Sequence, residues 1–191
     1  MDETDSEAIA EGLVMLVVDM QPTLLKAVDP DYVLLKRVEF SIRVAKLLGI
    51  RVIFTEQSPD KLGSTASTLL DAAGGQDSAI VFSKTSFNAF SAPGLERALA
   101  DLSDCHILLA GIETPICIYQ TALDGLSRDH QITLLSDCLG ARREEDVSPV
   151  MRVFAGAGGT ILPSETVFYS ILSDAEHPQF RDFTKLVKEY S

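Results

Sequence analysis

The sequence predicts an α/β fold, a Rossmann-like three-layer αβα sandwich around a mostly parallel sheet of six strands. Three observations predict it. Short continuous apolar runs rich in Val, Ile and Leu recur along the chain, as strands covered on both faces require. Stretches with apolar residues at helical spacing lie between these runs. Strands and helices alternating in this way close as parallel strands joined by right-handed crossovers, with helices on both faces.

Residues 13–18 form the first apolar run and end at Asp19, which sets a carboxylate at the C-terminal end of a buried strand. Residues 31–48 carry Val33, Leu34, Val38, Ile42, Ala45 and Leu48 close to helical spacing, and Gly49 closes that helix at a C-cap position. The second strand follows at 51–55. Residues 56–75 are rich in Ser, Thr, Gly and Asp, with one short helix around 65–73, and functional loops live in such stretches. A third strand at 79–83 places Lys84 just past its end, with a loop over 85–90. A helix over 93–102, a fourth strand over 105–110 and a helix over 115–128 come next. The fifth strand, 131–135, ends in Ser136-Asp137-Cys138. A helix over 144–154, a short strand at 160–162 and helices over 165–172 and 178–190 complete the series. Gly156-Ala157-Gly158-Gly159 lies after a helix and before a strand, the reverse of the dinucleotide fingerprint, and reads as a helix stop and turn.

A chain of 191 residues with 46% hydrophobic content is long enough for one well-buried core, so residues 1–191 are expected to form a single domain, with 1–11 flexible. No apolar run reaches membrane-spanning length, and the acidic start resembles neither a secretory signal nor a transit peptide. A cytoplasmic protein without a membrane partner is expected. Cys105, Cys117 and Cys138 are too few and too widely spaced for a disulfide framework, which fits a reducing compartment. The net charge of −12 repels phosphate backbones, so no nucleic-acid partner is expected. His106, His130 and His177 are scattered without a second ligand at metal-binding spacing; neither a metal nor a cofactor is expected.

In a parallel sheet the C-terminal strand ends share one edge, and ligands bind outside it where the strand order reverses. Asp19, Lys84 and Cys117 each sit just beyond such an end. Cys117 lies in the opening turn of a helix, with Thr114 as the expected N-cap and Pro115 at the first helical position. Unpaired N–H groups there favour a thiolate, so its pKa is expected below the ordinary value of about 8.5. By residue type Cys117 supplies a nucleophile, Asp19 takes and returns a proton, and Lys84 holds the thiolate and keeps the carboxylate ionised. Backbone N–H groups of Glu113 and Cys117 are the candidate oxyanion donors. Taken singly, a packed cysteine, a capping carboxylate and an ion-pairing lysine are the commoner fates of these residue types; their shared edge is what favours a site. Cys105 and Cys138 read as packed thiols.

With those residues in hand, the chain resembles the isochorismatase-like cysteine hydrolase superfamily. The resemblance runs from Val17-Val18-Asp19-Met20-Gln21, through Lys84 with Phe87-Asn88-Ala89-Phe90, to Gly111-Ile112-Glu113-Thr114-Pro115-Ile116-Cys117. It implies the isochorismatase-like hydrolase fold with a six-stranded parallel sheet, a triad of Asp19, Lys84 and Cys117, and a non-proline cis peptide between Ile112 and Glu113. Thr55-Glu56-Gln57, Gly111-Ile112-Glu113-Thr114 and Ala175-Glu176-His177-Pro178-Gln179-Phe180 are most similar to the isochorismatase domain-containing branch, which has no firmly established substrate. Some relatives there are called ribonucleases, which the acidic charge does not support. Nicotinamidases carry a metal-binding Asp-x-His where this chain has Thr55-Glu56-Gln57, so the resemblance extends neither to that metal nor to that substrate. Isochorismate-cleaving members can lack the cysteine; its retention points to a C–N bond in an amide, ureido or carbamoyl compound. Family analogy also implies a homo-oligomer.

The expected function is therefore a cysteine-dependent, metal-independent hydrolase acting on a small molecule through a covalent Cys117 intermediate. Gln21, Leu24, Gln57, Phe87 and Tyr119 are the expected pocket walls, since they lie beside the triad motifs, and their mixture of apolar and amide groups suits a partly polar ligand. Two other readings stand beside it. One is a thiol redox sensor or scavenger, with Cys138 resolving an oxidised Cys117. The other is a non-catalytic interaction protein that keeps a relic site.

Overall fold

The first strand, β1 (Leu13–Val18), is buried along its whole length, because both of its edges and both of its faces are covered. The computed structural model describes residues 12–100 and 105–191. The further strands are β2 (Arg51–Gln57), β3 (Ile80–Lys84), β4 (His106–Ile112), β5 (Gln131–Gly140) and β6 (Thr160–Leu162), in the order β3-β2-β1-β4-β5-β6. Every neighbouring pair is parallel. The chain winds outward through β2 and β3, then returns to the far side of β1 to lay down β4, β5 and β6. The order therefore reverses between β1 and β4, and a crevice opens at their C-terminal ends.

Residues of β1 alternate between two cores. Met15 and Val17 face one cluster, to which α2 (Val33–Leu47) contributes Val38, Phe40 and Ile42, and α8 (Ser164–Leu172) contributes Phe168 and Leu172. Short helices α1 (Pro22–Val28), α3 (Pro59–Leu62) and α4 (Ser67–Ala72) flank the β1 and β2 ends; α1 and α4 place Leu25, Leu69 and Leu70 in this core. Val14, Leu16 and Val18 face the other cluster, covered by α5 (Leu95–Ala100), α6 (Tyr119–Ser127) and α7 (Val147–Gly156). Helix α9 (Phe180–Glu189) packs Phe183 against Phe40 and Tyr169. Among the described residues no helix is long and apolar enough to cross a membrane.

Several boundaries differ from expectation for physical reasons. The fifth strand continues past Leu135 to Gly140, because a bulge opposite Leu109 and Gly111 lets it go on pairing with β4. The third strand includes Lys84, which pairs in register with Gln57. The helix expected over 115–128 begins as a π-helical turn, Thr114–Ile118, and turns α-helical at Tyr119. Gly49, at φ +75°, ends α2 as expected, with the Ile50 N–H returning to the Ala45 carbonyl. The flexible segment expected at 1–11, and the end of the helix expected over 93–102, lie outside the described residues.

Candidate active site

Asp19 leaves β1 in the left-handed region, φ +55°, with its N–H donating to the Thr55 carbonyl at 3.0 Å. That turn brings its carboxylate back over the end of β2. Oδ1 accepts from Thr55 Oγ1 at 2.9 Å, and Oδ2 accepts from Lys84 Nζ at 2.6 Å. Lys84 reaches the same point from β3 and also donates to Gln57 Oε1 at 2.8 Å, with Cys117 Sγ at 3.8 Å. The Asp19 and Lys84 side chains are 1% and 0% exposed, and Cys117 is buried beside them. Three residues separated by 65 and 33 positions, each at a different strand end, thus meet at the crevice where the sheet reverses.

Burial governs the charges here. Loss of water pushes the Asp19 carboxyl above the usual aspartate value, against the opposing pull of the Lys84 ammonium. Burial and then the Asp19 charge push the Cys117 thiol up to about 12, with Lys84 and a backbone hydrogen bond from Glu113 pulling the other way. The lowered thiol pKa expected from a helix start is therefore corrected: desolvation outweighs the unpaired N–H groups. Cys117 rests as a thiol beside a carboxylate with raised proton affinity, so the proton has a receiver within the site.

The turn that carries Cys117 also departs from expectation. Glu113, not Thr114, occupies the cap position, and no side chain caps the turn. Thr114 Oγ1 instead donates to the Gly140 carbonyl at 3.1 Å, tying the turn to β5. The Ile112–Glu113 peptide is cis. The Glu113 carboxylate accepts from the backbone N–H and Nε of Arg142, and so points away from the thiol.

The expected pocket walls occupy different settings. Gln21 is fully buried; its Oε1 accepts from the Gln57 N–H at 2.8 Å, and its Nε2 donates to the carbonyls of Gln57 and Gly63. Gln57 donates from Nε2 to the Thr85 carbonyl at 2.8 Å while its Oε1 serves Lys84. Leu24 and Tyr119 are half-buried, and Phe87 is exposed. A cavity of about 590 Å³ opens between residues 58–61 and 83–86, with Lys84 on its wall and none of these five residues lining it. Sequence reasoning missed Thr55 as an Asp19 partner and Gln57 as a Lys84 partner. The strand period puts residues 55 and 57 on one side of β2, but which side chains they meet depends on the register of β2 against β1 and β3.

The remaining candidates are packed. Cys105 and Cys138 are buried, with thiols pushed up by burial to about 11 and about 12. Cys138 lies in the core on the opposite sheet face from Cys117, so the pair expected to form a resolving disulfide is separated by the sheet. His106 Nε2 meets Thr133 Oγ1, and His130 stacks on Phe90. Among the described residues no three His, Cys, Asp or Glu gather as a metal cluster. At the nicotinamidase metal positions stand Thr55, which donates to Asp19, and Gln57, which serves Lys84, with the intervening Glu56 engaged by the Thr65 N–H and Oγ1, so the donor set does not fit a metal.

Comparison with known proteins places this geometry in context. The family model described as the isochorismatase domain matches residues 14–166. The chain is 36% identical over 145 residues to isochorismatase domain-containing protein 1 of Danio rerio, covering 75% of this chain and 50% of that protein. The chain thus spans about half the length of that relative. It is 32% identical over 177 residues to isochorismatase domain-containing protein 2 of Xenopus laevis, covering 92% of this chain and 83% of the relative. The solved structure of the MAR1 ribonuclease from Caenorhabditis elegans superposes with a TM-score of 0.85 at 26% identity, over 94% of this chain and 91% of that one.

Proposed function

Because the chain belongs to the isochorismatase family, in the branch of isochorismatase domain-containing proteins, we propose that it is a metal-independent cysteine hydrolase. Its substrate is a small amide, ureido or carbamoyl compound. The observation that carries the reading is Lys84 Nζ set between Asp19 Oδ2 and Cys117 Sγ, at 2.6 and 3.8 Å, in a water-poor crevice.

Asp19 takes the Cys117 S–H proton as Sγ attacks the carbonyl carbon. The resulting oxyanion is met by the backbone N–H groups of Glu113 and Cys117. Asp19 returns the proton to the leaving nitrogen, the C–N bond breaks, and the acyl or carbamoyl group stays on sulfur. A water that gives its proton to Asp19 then cleaves the thioester, and the thiol is restored. Lys84 offsets the negative charge in whichever place it resides, first on Asp19 and then on sulfur.

Leu24, Phe87 and Tyr119 are the proposed substrate contacts, lying outside the cavity of about 590 Å³, while the amides of Gln21 and Gln57 are already engaged by the chain. The protein works in the cytoplasm as one domain and as a homo-oligomer, the last checked by sedimentation velocity. The named activity of the Caenorhabditis elegans neighbour is not carried over, since a net charge of −12 and a buried triad both oppose an RNA substrate.

The test is ammonia or amine release from a panel of amides and ureido compounds. Cys117→Ala is expected to abolish turnover with the fold intact, and Asp19→Asn to lower it by roughly 100-fold or more. Turnover that survives in purified Cys117→Ala overturns the reading.

A further inference from the structure

Lys84 makes its three polar contacts to three different groups, and only two of them belong to the proposed reaction. An ammonium has three donor hydrogens, and Asp19 Oδ2, Gln57 Oε1 and Cys117 Sγ are the atoms they face. Gln57 is itself held rigidly. Its Nε2 donates to the Thr85 carbonyl, which fixes the amide so that oxygen, and not nitrogen, faces Lys84. Its backbone is clamped on both sides by the fully buried amide of Gln21. The acceptor is in place before any ligand arrives.

We propose that Gln57 is a positioning residue: its neutral amide oxygen aims the Lys84 ammonium between Asp19 and Cys117 without taking a share of the lysine's charge. The proposal rests on the reading of Cys117 as nucleophile. Before proton transfer the cluster holds one carboxylate, one ammonium and a neutral thiol. Afterwards it holds a neutral carboxyl, the ammonium and a thiolate. The net charge is zero in both states, so the buried site never carries an uncompensated charge. A carboxylate at position 57 breaks that balance and draws Lys84 away from sulfur. An apolar side chain there removes the third anchor and leaves a buried N–H without a partner.

Of the other charged groups near the cluster, Asp60 and Lys61 share the cavity wall with Lys84, and two carboxylates are engaged elsewhere. The charged groups facing Cys117 are Asp19, from the end of β1, and Lys84, from β3. The Glu113 carboxylate, on the turn that bears Cys117, pairs with Arg142, and the Glu56 carboxylate, next to Gln57 on β2, accepts from Thr65. The lysine's charge is thus divided between two groups, and Gln57 decides the geometry of that division.

The test is the rate of iodoacetamide labelling at Cys117 as a function of pH, read by peptide mass spectrometry on the full chain. Gln57→Glu keeps the size of the side chain and an acceptor for Lys84 but adds a charge. It is expected to slow labelling roughly tenfold at each fixed pH at which the protein is folded. A folded Gln57→Glu protein whose profile superimposes on the native one overturns the proposal. Gln57→Met provides an independent arm, in a double-mutant cycle with Lys84→Ala. The two substitutions are expected to be strongly non-additive in labelling rate, because Gln57 acts on Cys117 only through Lys84; additive effects overturn the proposal. Labelling needs no turnover, so loss of the hydrolase reading by a surviving Cys117→Ala activity is seen separately.

Discussion

Gly111 is the residue on which the approach of β4 to β1 depends. It pairs with Val18 at φ +120°, and a Cβ built there would lie 2.1 Å from the Val18 carbonyl oxygen and 2.7 Å from its nitrogen. Neither backbone can retreat without moving Asp19 or the turn that bears Cys117. Gly111→Ala is therefore expected to cost more than about 3 kcal/mol, from a left-handed conformation and a backbone clash together, as read by urea denaturation. A stability within 1 kcal/mol of native would show that the strands can part. Asp19 supports a second prediction with two opposite signs. Burial and then the Asp19 charge raise the Cys117 thiol pKa, so Asp19→Asn removes the second push and Cys117 should label faster at a fixed pH than in the native protein. Turnover should collapse in the same variant, because an amide cannot take the thiol proton. A sulfur that becomes easier to ionise yet stops turning over would separate proton transfer from nucleophilicity; a labelling rate that stays or falls would contradict this account.

At the scale of elements, the junction of β5 and α8 shows what a sequence conceals. Ser136-Asp137 looks like the end of a strand, since two polar residues interrupt an apolar run. Asp137 nevertheless stays in the sheet, because Arg37, 100 residues away, and the N–H and Oγ of Ser164 satisfy its carboxylate. Only the folded chain supplies those partners. Strand ends marked by Asp19, Lys84 and Cys117 were legible because apolar runs stop beside them. The roles of Thr55 and Gln57 were not, since they depend on how β2 is registered against β1 and β3. Helix α1 has no counterpart among the expected elements: Pro22 opens it after Gln21, whose buried amide is held by the carbonyls of Gln57 and Gly63. The Asp137 network carries its own prediction. Burial works against its charge, but Ser164 and Arg37 outweigh it and hold the carboxyl below the usual aspartate value. A depressed carboxylate contributes stability that is present above the unfolded pKa of about 3.9 and lost as pH falls through the folded one. Asp137→Asn should thus cost about 2 kcal/mol at neutral pH, and the gap from native should narrow on acidification below pH 4 or so. A gap independent of pH would mean that shape, not charge, makes the contact.

For the whole molecule, topology and charge act on the same question of what reaches the site. The order β3-β2-β1-β4-β5-β6 puts Asp19 and Cys117 on either side of the reversal, and β3 leans in from the edge to deliver Lys84. A crevice made this way keeps Asp19, Lys84 and Cys117 buried, so an extended polymer would have to be held from outside. The outside is unsuited to holding a polyanion. With 28 acidic against 16 basic residues, the long-range field repels phosphate, and that repulsion grows as salt is removed. Proteins that bind RNA through phosphate contacts behave in the opposite way, tightening as salt falls. Fluorescence anisotropy of a labelled single-stranded RNA, titrated with the native protein from about 200 down to 20 mM salt, separates the two cases. No saturable binding tighter than about 10 μM is expected at any salt concentration in that range. Binding that strengthens as salt is lowered would require a basic track opposing the overall charge, and it would turn the search for a substrate from amides towards nucleic acid.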